Sequence, residues 1–268
     1  MTVALAIAGA AGRMGRALIR AVSEKPGFKI AGGTERPGSP SVGADLGAMV
    51  GLDPLGVIAT ESVTSAAAAA DVWIDFTTPA ATMSTLAALS QTKVRAAIIG
   101  ATGLSPADED AIAKAAQHFA IVKSGNFSLG VTLLAALTRV AAQKLGPDWD
   151  IEIVEAHHRR KVDAPSGTAL LLGQAAAKGR DVSLADKRLP PRDGHTGERP
   201  EGGIGFAVIR GGGVIGEHDV VFASEREIIT LSHSARDRAI FADGALAAAR
   251  WAADKPPGLY SMDDVLGL

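Results

Sequence analysis

An unbroken apolar run from Val3 to Ala8 reads as a buried strand, and Arg13 to Ser23 reads as a helix ending near Pro26-Gly27. The alternation then recurs. Phe28 to Gly32 is a second strand, Asp71 to Phe76 a third, Ala96 to Ile99 a fourth and Ala120 to Lys123 a fifth. Thr77-Thr78-Pro79 opens a helix through Leu89. Ser105-Pro106 opens another, with a serine cap, proline at the first helical position and acids at Asp108, Glu109 and Asp110. Strands and helices taking turns predict an α/β fold built on a Rossmann-like, doubly wound parallel sheet.

The pattern changes after Asn126. Ser128 to Lys144 predicts a long amphipathic helix, Ile151 to Ala156 a strand carrying Glu152 and Glu155, and Gly167 to Lys178 a helix. Arg180 to Gly203, rich in proline, glycine and charge, predicts a long loop. Ile204 to Ile209, Val214 to Phe222 and Glu227 to Ser232 predict antiparallel strands joined by glycine-rich turns, and Phe241 to Ala252 a closing helix. The expected organisation is a first domain over 1–127 and 237–268, with an α+β domain inserted at 128–236. No internal repeat interrupts it.

Composition narrows the chemistry. Of 268 residues 47% are hydrophobic but only 4% aromatic, so the cores must be built from Ala, Val, Ile and Leu. A formal charge of −2 argues against nucleic acid as a partner. There is no cysteine, which removes disulfides, thiolate-bound metals and a thiol nucleophile, and suits the cytoplasm. The start lacks a basic region before its apolar run, and the alanine stretch 65–70 is broken by Asp71, so neither a signal peptide nor a membrane span is expected.

Gly9-Ala10-Ala11-Gly12-Arg13-Met14-Gly15 follows a strand and opens a helix. Glycines there permit a tight turn and let backbone N–H groups approach a pyrophosphate, which a helix N-terminus also favours. The spacing alone fits either a dinucleotide site or a plain turn. Glu35-Arg36, just past the second strand, lies where a ribose is read: the glutamate suits two hydroxyls, the arginine a 2′-phosphate, and the pair suits NADH or NADPH alike. It also fits a solvated charge pair. Gly100-Ala101-Thr102-Gly103 and Ser124-Gly125-Asn126-Phe127 follow strands, where the crevice of an open sheet lies.

The densest chemistry is Glu155-Ala-His157-His158-Arg159-Arg160-Lys161-Val-Asp163-Ala-Pro-Ser166-Gly167-Thr168. Cationic or potentially cationic side chains fill 157 to 161, between a strand and a helix. Ser166 is a good N-cap, and the N–H groups of Gly167 and Thr168 would head the helix without intrahelical partners. Such an N-terminus beside a cationic cluster suits a carboxylate or phosphate. A histidine and a lysine beside one anion can divide proton transfer between them, since cationic neighbours lower a lysine pKa. The same run also fits a solvated basic face. No metal is expected, because adjacent histidines on a strand point to opposite faces and the bases repel a cation.

With these motifs in view, the chain resembles the 4-hydroxy-tetrahydrodipicolinate reductase family over essentially its whole length. The resemblance rests on EAHHRRKVDAPSGTA, GAAGRMG, GATG, SGNFS, RDGHTGER, IGFAVIRGGGVIGEHDVVF and GLYSMDDVL. It implies NADH or NADPH bound by Gly9, Ala10, Ala11, Gly12, Arg13, Met14, Glu35, Arg36, Gly100, Ala101, Thr102, Ser124, Gly125, Asn126 and Phe127, with Arg238 reaching the cofactor from a hinge. It implies His157 as proton donor and acceptor, Lys161 as second proton donor, and His158, Ser166, Gly167 and Thr168 at a small cyclic dicarboxylate. It further implies hydride transfer to ring C4 and a homotetramer built from the second domains. The chain crosses between the two expected domains near 127–129 and 235–239, where a hinge is expected. Rival readings fit less well. A thioester-forming dehydrogenase needs a cysteine, and a nucleotide-sensing regulator has no use for the His/Lys pair. A reductase of another cyclic imine is not separated by sequence.

Overall fold

The computed structural model describes residues 2–268. The chain divides into two compact units, one reaching to Ser128 and resuming over Ala239–Gly267, the other spanning Leu129–Arg238. The first alternates β1 (Val3–Ala8), α1 (Arg13–Glu24), β2 (Phe28–Thr34), α2 (Val63–Ala67), β3 (Val72–Asp75), α3 (Pro79–Leu89), β4 (Ala96–Ile99), α4 (Pro106–Ala115) and β5 (Ala120–Lys123). The second holds α5 (Leu129–Lys144), β6 (Asp150–His157), α6 (Gly167–Gly179), the one-turn α7 (Leu184–Lys187), β7 (Ile204–Arg210), β8 (Glu217–Ala223) and β9 (Ile228–Ser234). The chain returns to the first unit with α8 (Ala239–Ala252), β10 (Gly258–Tyr260) and α9 (Met262–Leu266).

The first unit is a Rossmann-like parallel sheet of six strands, ordered β10-β5-β4-β3-β1-β2. Every residue of β1, β3 and β4 is buried. That is why these strands read as continuous apolar runs: helices cover both faces. Trp73, Leu86, Leu89, Ile99, Ile112 and Phe119 pack on one side. The expected helix starts are built as the sequence implies, with Thr78 capping α3 and Ser105 forming a reciprocal capping box with Asp108 on α4. The strand order reverses between β1 and β3, so the crevice beyond their carboxyl ends is where such sheets receive ligands.

The second unit is a four-stranded sheet ordered β7-β6-β8-β9 with α5 and α6 packed on it. Leu134, Ile151, Ile153, Leu172, Val220 and Phe222 form its core. One expectation is corrected here. β7 is parallel to β6, not antiparallel, with Ile151 facing Ile204 and His157 facing Arg210. The chain leaves β6, crosses through α6 and α7 and comes back in the same direction, as a crossover of that length allows. β8 runs antiparallel to both β6 and β9, and starts at Glu217 rather than Val214.

Two further differences concern short elements. Residues 180–203, expected as loop, contain α7, and their far end is anchored by Arg199, which bonds Asp150, Glu152 and the carbonyls of Ile151 and Gly203. β10 and α9 had no periodic signal, being three and five residues long. Among the described residues no helix is long and apolar enough to cross a membrane.

Packing at α1 fixes one glycine. A Cβ on Gly15 would lie 2.6 Å from the Ala10 carbonyl oxygen and closer still to that of Gly9, both backbone atoms. Gly15→Ala should therefore destabilise the protein by about 1–3 kcal/mol. Gly125→Ala, with nothing within 4 Å of its Cβ, should stay within about 0.5 kcal/mol. Equal thermal midpoints for the two variants would contradict this account.

Candidate active site

In the first unit, the turn after β1 is shaped by backbone demands. Gly9 sits at φ +61°, where glycine is at ease, and its carbonyl accepts from the Gly12 N–H at 2.9 Å. Gly12 caps α1 without any side-chain bond, and the first turn carries no acid, a combination that leaves the helix start suited to an anion. Glu35 lies beside this turn: its Oε1 accepts from the Ala11 N–H at 2.7 Å. Arg13 and Arg36 are exposed, Met14 is half-buried and Ala10 is buried.

The other expected nucleotide residues lie at the same sheet edge, because parallel strands end together. Gly100 follows β4, where a Cβ would press into the Phe76 ring, and Ala101 is buried while Thr102 is exposed. After β5, the Ser124 hydroxyl donates to the Asn126 carbonyl at 2.6 Å and the Asn126 side chain accepts from the Ser128 N–H at 2.8 Å. Phe127 is buried, edge-on to Phe76 with ring centroids 5.2 Å apart, and Gly125 is exposed. The glycine turn, a helix start with no side-chain cap and Glu35 beside it thus fit a dinucleotide.

In the second unit, β6 alternates inward and outward residue by residue. Ile151, Ile153, Glu155 and His157 form the buried row. The last two positions of an apolar row are therefore a carboxylate and an imidazole. The Glu155 side chain is fully buried. Arg210 forks onto it, Nη1 to Oε2 and Nη2 to Oε1, each at 2.7 Å. His157 Nδ1 lies 2.6 Å from Oε2, and the Ser166 N–H donates to Oε1 at 2.9 Å. Burial pushes the Glu155 carboxyl up, but Arg210, His157 and the Ser166 N–H outweigh it and hold it below the usual carboxylate range.

Since the carboxylate can only accept, His157 donates from Nδ1, and Nε2 is the ring nitrogen that Glu155 does not engage. Gly216 borders that atom: a Cβ there would lie 3.1 Å from Nε2. His218 sits edge-on to His157, centroids 5.1 Å apart, and its Nε2 lies 3.3 Å from the Ser166 hydroxyl. Burial, then the neighbouring His157 and His233, push its pKa down to about 4, so it is neutral near pH 7.

The cationic run continues past the strand. Arg159 and Arg160 are exposed, and Lys161 Nζ lies 2.9 Å from the Asp163 carboxylate, which that contact holds below its ordinary range. His158 is shifted down by partial burial, then by the charges of Arg160 and Arg238. Arg238 donates to His158 Nε2 at 3.0 Å, so within this unit it meets the second histidine of the run. Ser166 caps α6 as expected, its hydroxyl accepting from the Ala169 N–H at 3.1 Å, with exposed Gly167 and half-buried Thr168 in the first turn.

The structure thus gathers His157, His158, Lys161, Ser166, Gly167 and Thr168 around the end of β6 and the start of α6. Sequence reasoning missed Glu155, Arg210 and His218 as members of this site. Glu155 shares strand parity with His157, and that signal was available. Arg210 and His218 come from partner strands, where register alone brings Arg210 opposite His157 and His218 opposite Glu155.

Comparison with known proteins gives these features a family. Residues 3–127 match the model described as dihydrodipicolinate reductase, N-terminus, and residues 130–266 the model for its C-terminus. A 4-hydroxy-tetrahydrodipicolinate reductase of Parvibaculum lavamentivorans is 56% identical over 267 residues, covering 99% of this chain and 98% of that one. One of Sinorhizobium fredii is 55% identical, covering 98% and 97%. A dipicolinate-bound dihydrodipicolinate reductase from Paenisporosarcina sp. TG-14 shares the fold, with a TM-score of 0.78 at 24% identity over 97% of this chain and 98% of that one. The chain belongs to the dihydrodipicolinate reductase family, whose members are also named 4-hydroxy-tetrahydrodipicolinate reductases.

Proposed function

We propose that this chain reduces 4-hydroxy-tetrahydrodipicolinate to tetrahydrodipicolinate with NADH or NADPH, in cytoplasmic lysine and diaminopimelate biosynthesis, with His157 and Lys161 moving the protons. The observation that carries this reading is the junction of β6 and α6. There an imidazole oriented by a buried carboxylate, a lysine and a capped helix N-terminus lie on adjoining residues. The nucleotide is assigned to the unit ending at Ser128 and the substrate to Leu129–Arg238, and the reading includes a hinge at 127–129 and 235–239.

The bound nicotinamide supplies the hydride to ring C4. The chain's own residues handle the rest. Loss of the ring hydroxyl as water adds a proton to the leaving oxygen and removes one from the adjacent ring carbon, and hydride addition is completed by a proton returned to that carbon. His157 can give or take a proton at Nε2, and Lys161 supplies a second donor and a positive charge. His157→Gln should lower kcat by about 100-fold or more, as loss of a positioned acid or base does, and Lys161→Ala at least as much. Cofactor affinity should survive both. Near-normal turnover in either variant would defeat the assignment.

The substrate's two carboxylates call for two grips. Gly167 and Thr168 at the head of α6 supply one, where the helix dipole adds about 0.3–1 kcal/mol. His158 and Lys161 assist it, and Ser166 holds the helix start. Thr168→Val should raise KM and weaken pyridine-2,6-dicarboxylate together, by about 1–3 kcal/mol for a lost bond to a charged group. Pyridine-2-carboxylate, lacking one grip, should inhibit far more weakly. Equal inhibition by the mono- and diacid would refute the second grip.

Glu35 beside Arg36 supports use of both cofactors within about tenfold, a gap of ~1.4 kcal/mol. Titrations giving more than about a hundredfold preference, ~2.7 kcal/mol, would rule this out. The reading also includes a homotetramer made through Leu129–Arg238. Exposed Leu133, Leu137 and Val140 at helical spacing on α5, and Ile228 and Ile229 on the edge strand β9, offer apolar surface for it.

A further inference from the structure

We propose that Glu155, clamped by Arg210, is the positioning residue of the site. Through one carboxylate it fixes His157 in the Nδ1–H tautomer and sets the Ser166 end of α6. The inference rests on His157 being the acid/base group, but what it assigns is the origin of that group's orientation.

The geometry leaves Glu155 little freedom. Its two oxygens take the paired Arg210 contacts, the His157 ring and the Ser166 N–H, all between 2.6 and 2.9 Å. An ionised carboxylate offers about four lone-pair sites, so its capacity is filled. Each oxygen has a separate duty: Oε2 faces the imidazole and Oε1 faces the head of α6. Arg210 Nη2 also donates to the Asp163 carbonyl at 2.7 Å, which ties the loop between the two to the same clamp. A displacement of the carboxylate would therefore move the proton-exchanging atom and the proposed carboxylate grip together.

The positive end of the clamp matters as much as the negative. Without Arg210, a fully buried Glu155 would tend to take up a proton. A protonated or amidated side chain can donate to Nδ1, which would turn the imidazole to the opposite tautomer, with Nε2 already protonated. Such a His157 could not accept a proton at the atom beside Gly216. Tautomer control by a buried carboxylate has this effect in other acid/base pairs.

The test uses the full-length protein labelled with 15N-histidine, the His157 signal being identified by its loss in His157→Gln. In the wild type, neutral His157 should be protonated at Nδ1 and bare at Nε2. In Glu155→Gln a substantial Nε2–H population should appear, and kcat should fall by about 100-fold or more. Cofactor should bind within about fivefold of wild type, ~1 kcal/mol, whereas pyridine-2,6-dicarboxylate should bind more weakly, because its grip is set by the same carboxylate. Arg210→Lys, which keeps the charge but loses the fork, should give the same change in weaker form. A wild-type His157 carrying Nε2–H overturns the proposal without any variant having to fold. So does a folded Glu155→Gln that melts at a lower temperature but keeps its tautomer and turnover. Retained turnover in His157→Gln would instead remove the acid/base reading and leave the tautomer result standing.

Discussion

The second unit is organised around a single buried negative charge. Glu155 stands in an apolar row, where an unpaired carboxylate would cost several kcal/mol. It stays ionised because Arg210 forks onto it while His157 and the Ser166 N–H complete its shell. Three elements meet there: β6 supplies the carboxylate and imidazole, β7 the guanidinium, and α6 its capping residue. The parallel pairing of β7 is what makes this meeting possible. Register places Arg210 beside the C-terminal end of β6. An antiparallel β7 with the same ends aligned would carry that arginine to the opposite end of the strand.

The charge arrangement around this anion is graded. Arg159, Arg160 and Arg238 keep their charge towards solvent. Two histidines of the site are shifted down: His158 by partial burial and cationic neighbours, His218 by burial and the adjacent imidazoles. Both are neutral near pH 7, so they contribute directional hydrogen bonds more than charge. A dicarboxylate approaching this edge would meet permanent charge on the arginines, and shape and donors from the histidines. Separation of the two roles keeps the cluster from being a uniform patch of repelling cations, and it leaves His157 beside a carboxylate instead of beside another cation.

Much of the first unit was legible in the sequence because its demands are local. A strand that is buried throughout must be apolar throughout, as in Val3–Ala8, and a turn whose backbone must come close needs glycine at 9, 12 and 15. The second unit was less legible. Hydrophobic periodicity identifies a strand but carries no direction, so β7 was assigned the wrong sense. β10 is too short to show any period. The site divided in the same way. His157 to Thr168 is one contiguous stretch with a readable logic. Arg210 and His218 lie more than fifty residues from Glu155 and Ser166 respectively, and only the fold unites them. Glu155 itself was hidden by convention: an acid in a strand is taken to face water, whereas the alternation through Ile151 and Ile153 faces it inward.

Stability alone gives no reason to bury such a pair. Replacing a buried ion pair with well-packed apolar residues is often neutral or favourable, because desolvation of the charges offsets their attraction. An isoleucine at 155 would continue the row of Ile151 and Ile153 without needing an arginine on β7. What apolar packing cannot do is define direction. It would leave His157 free to rotate and to exchange tautomers, and it would leave the Ser166 N–H without its acceptor. Acid/base chemistry needs the exchanging nitrogen held within about 0.5 Å of its productive position. A bidentate guanidinium–carboxylate pair is among the few side-chain contacts that fix both distance and plane. The cost of burying the charge is therefore best understood as the cost of orientation, and the place where it is incurred marks where orientation matters.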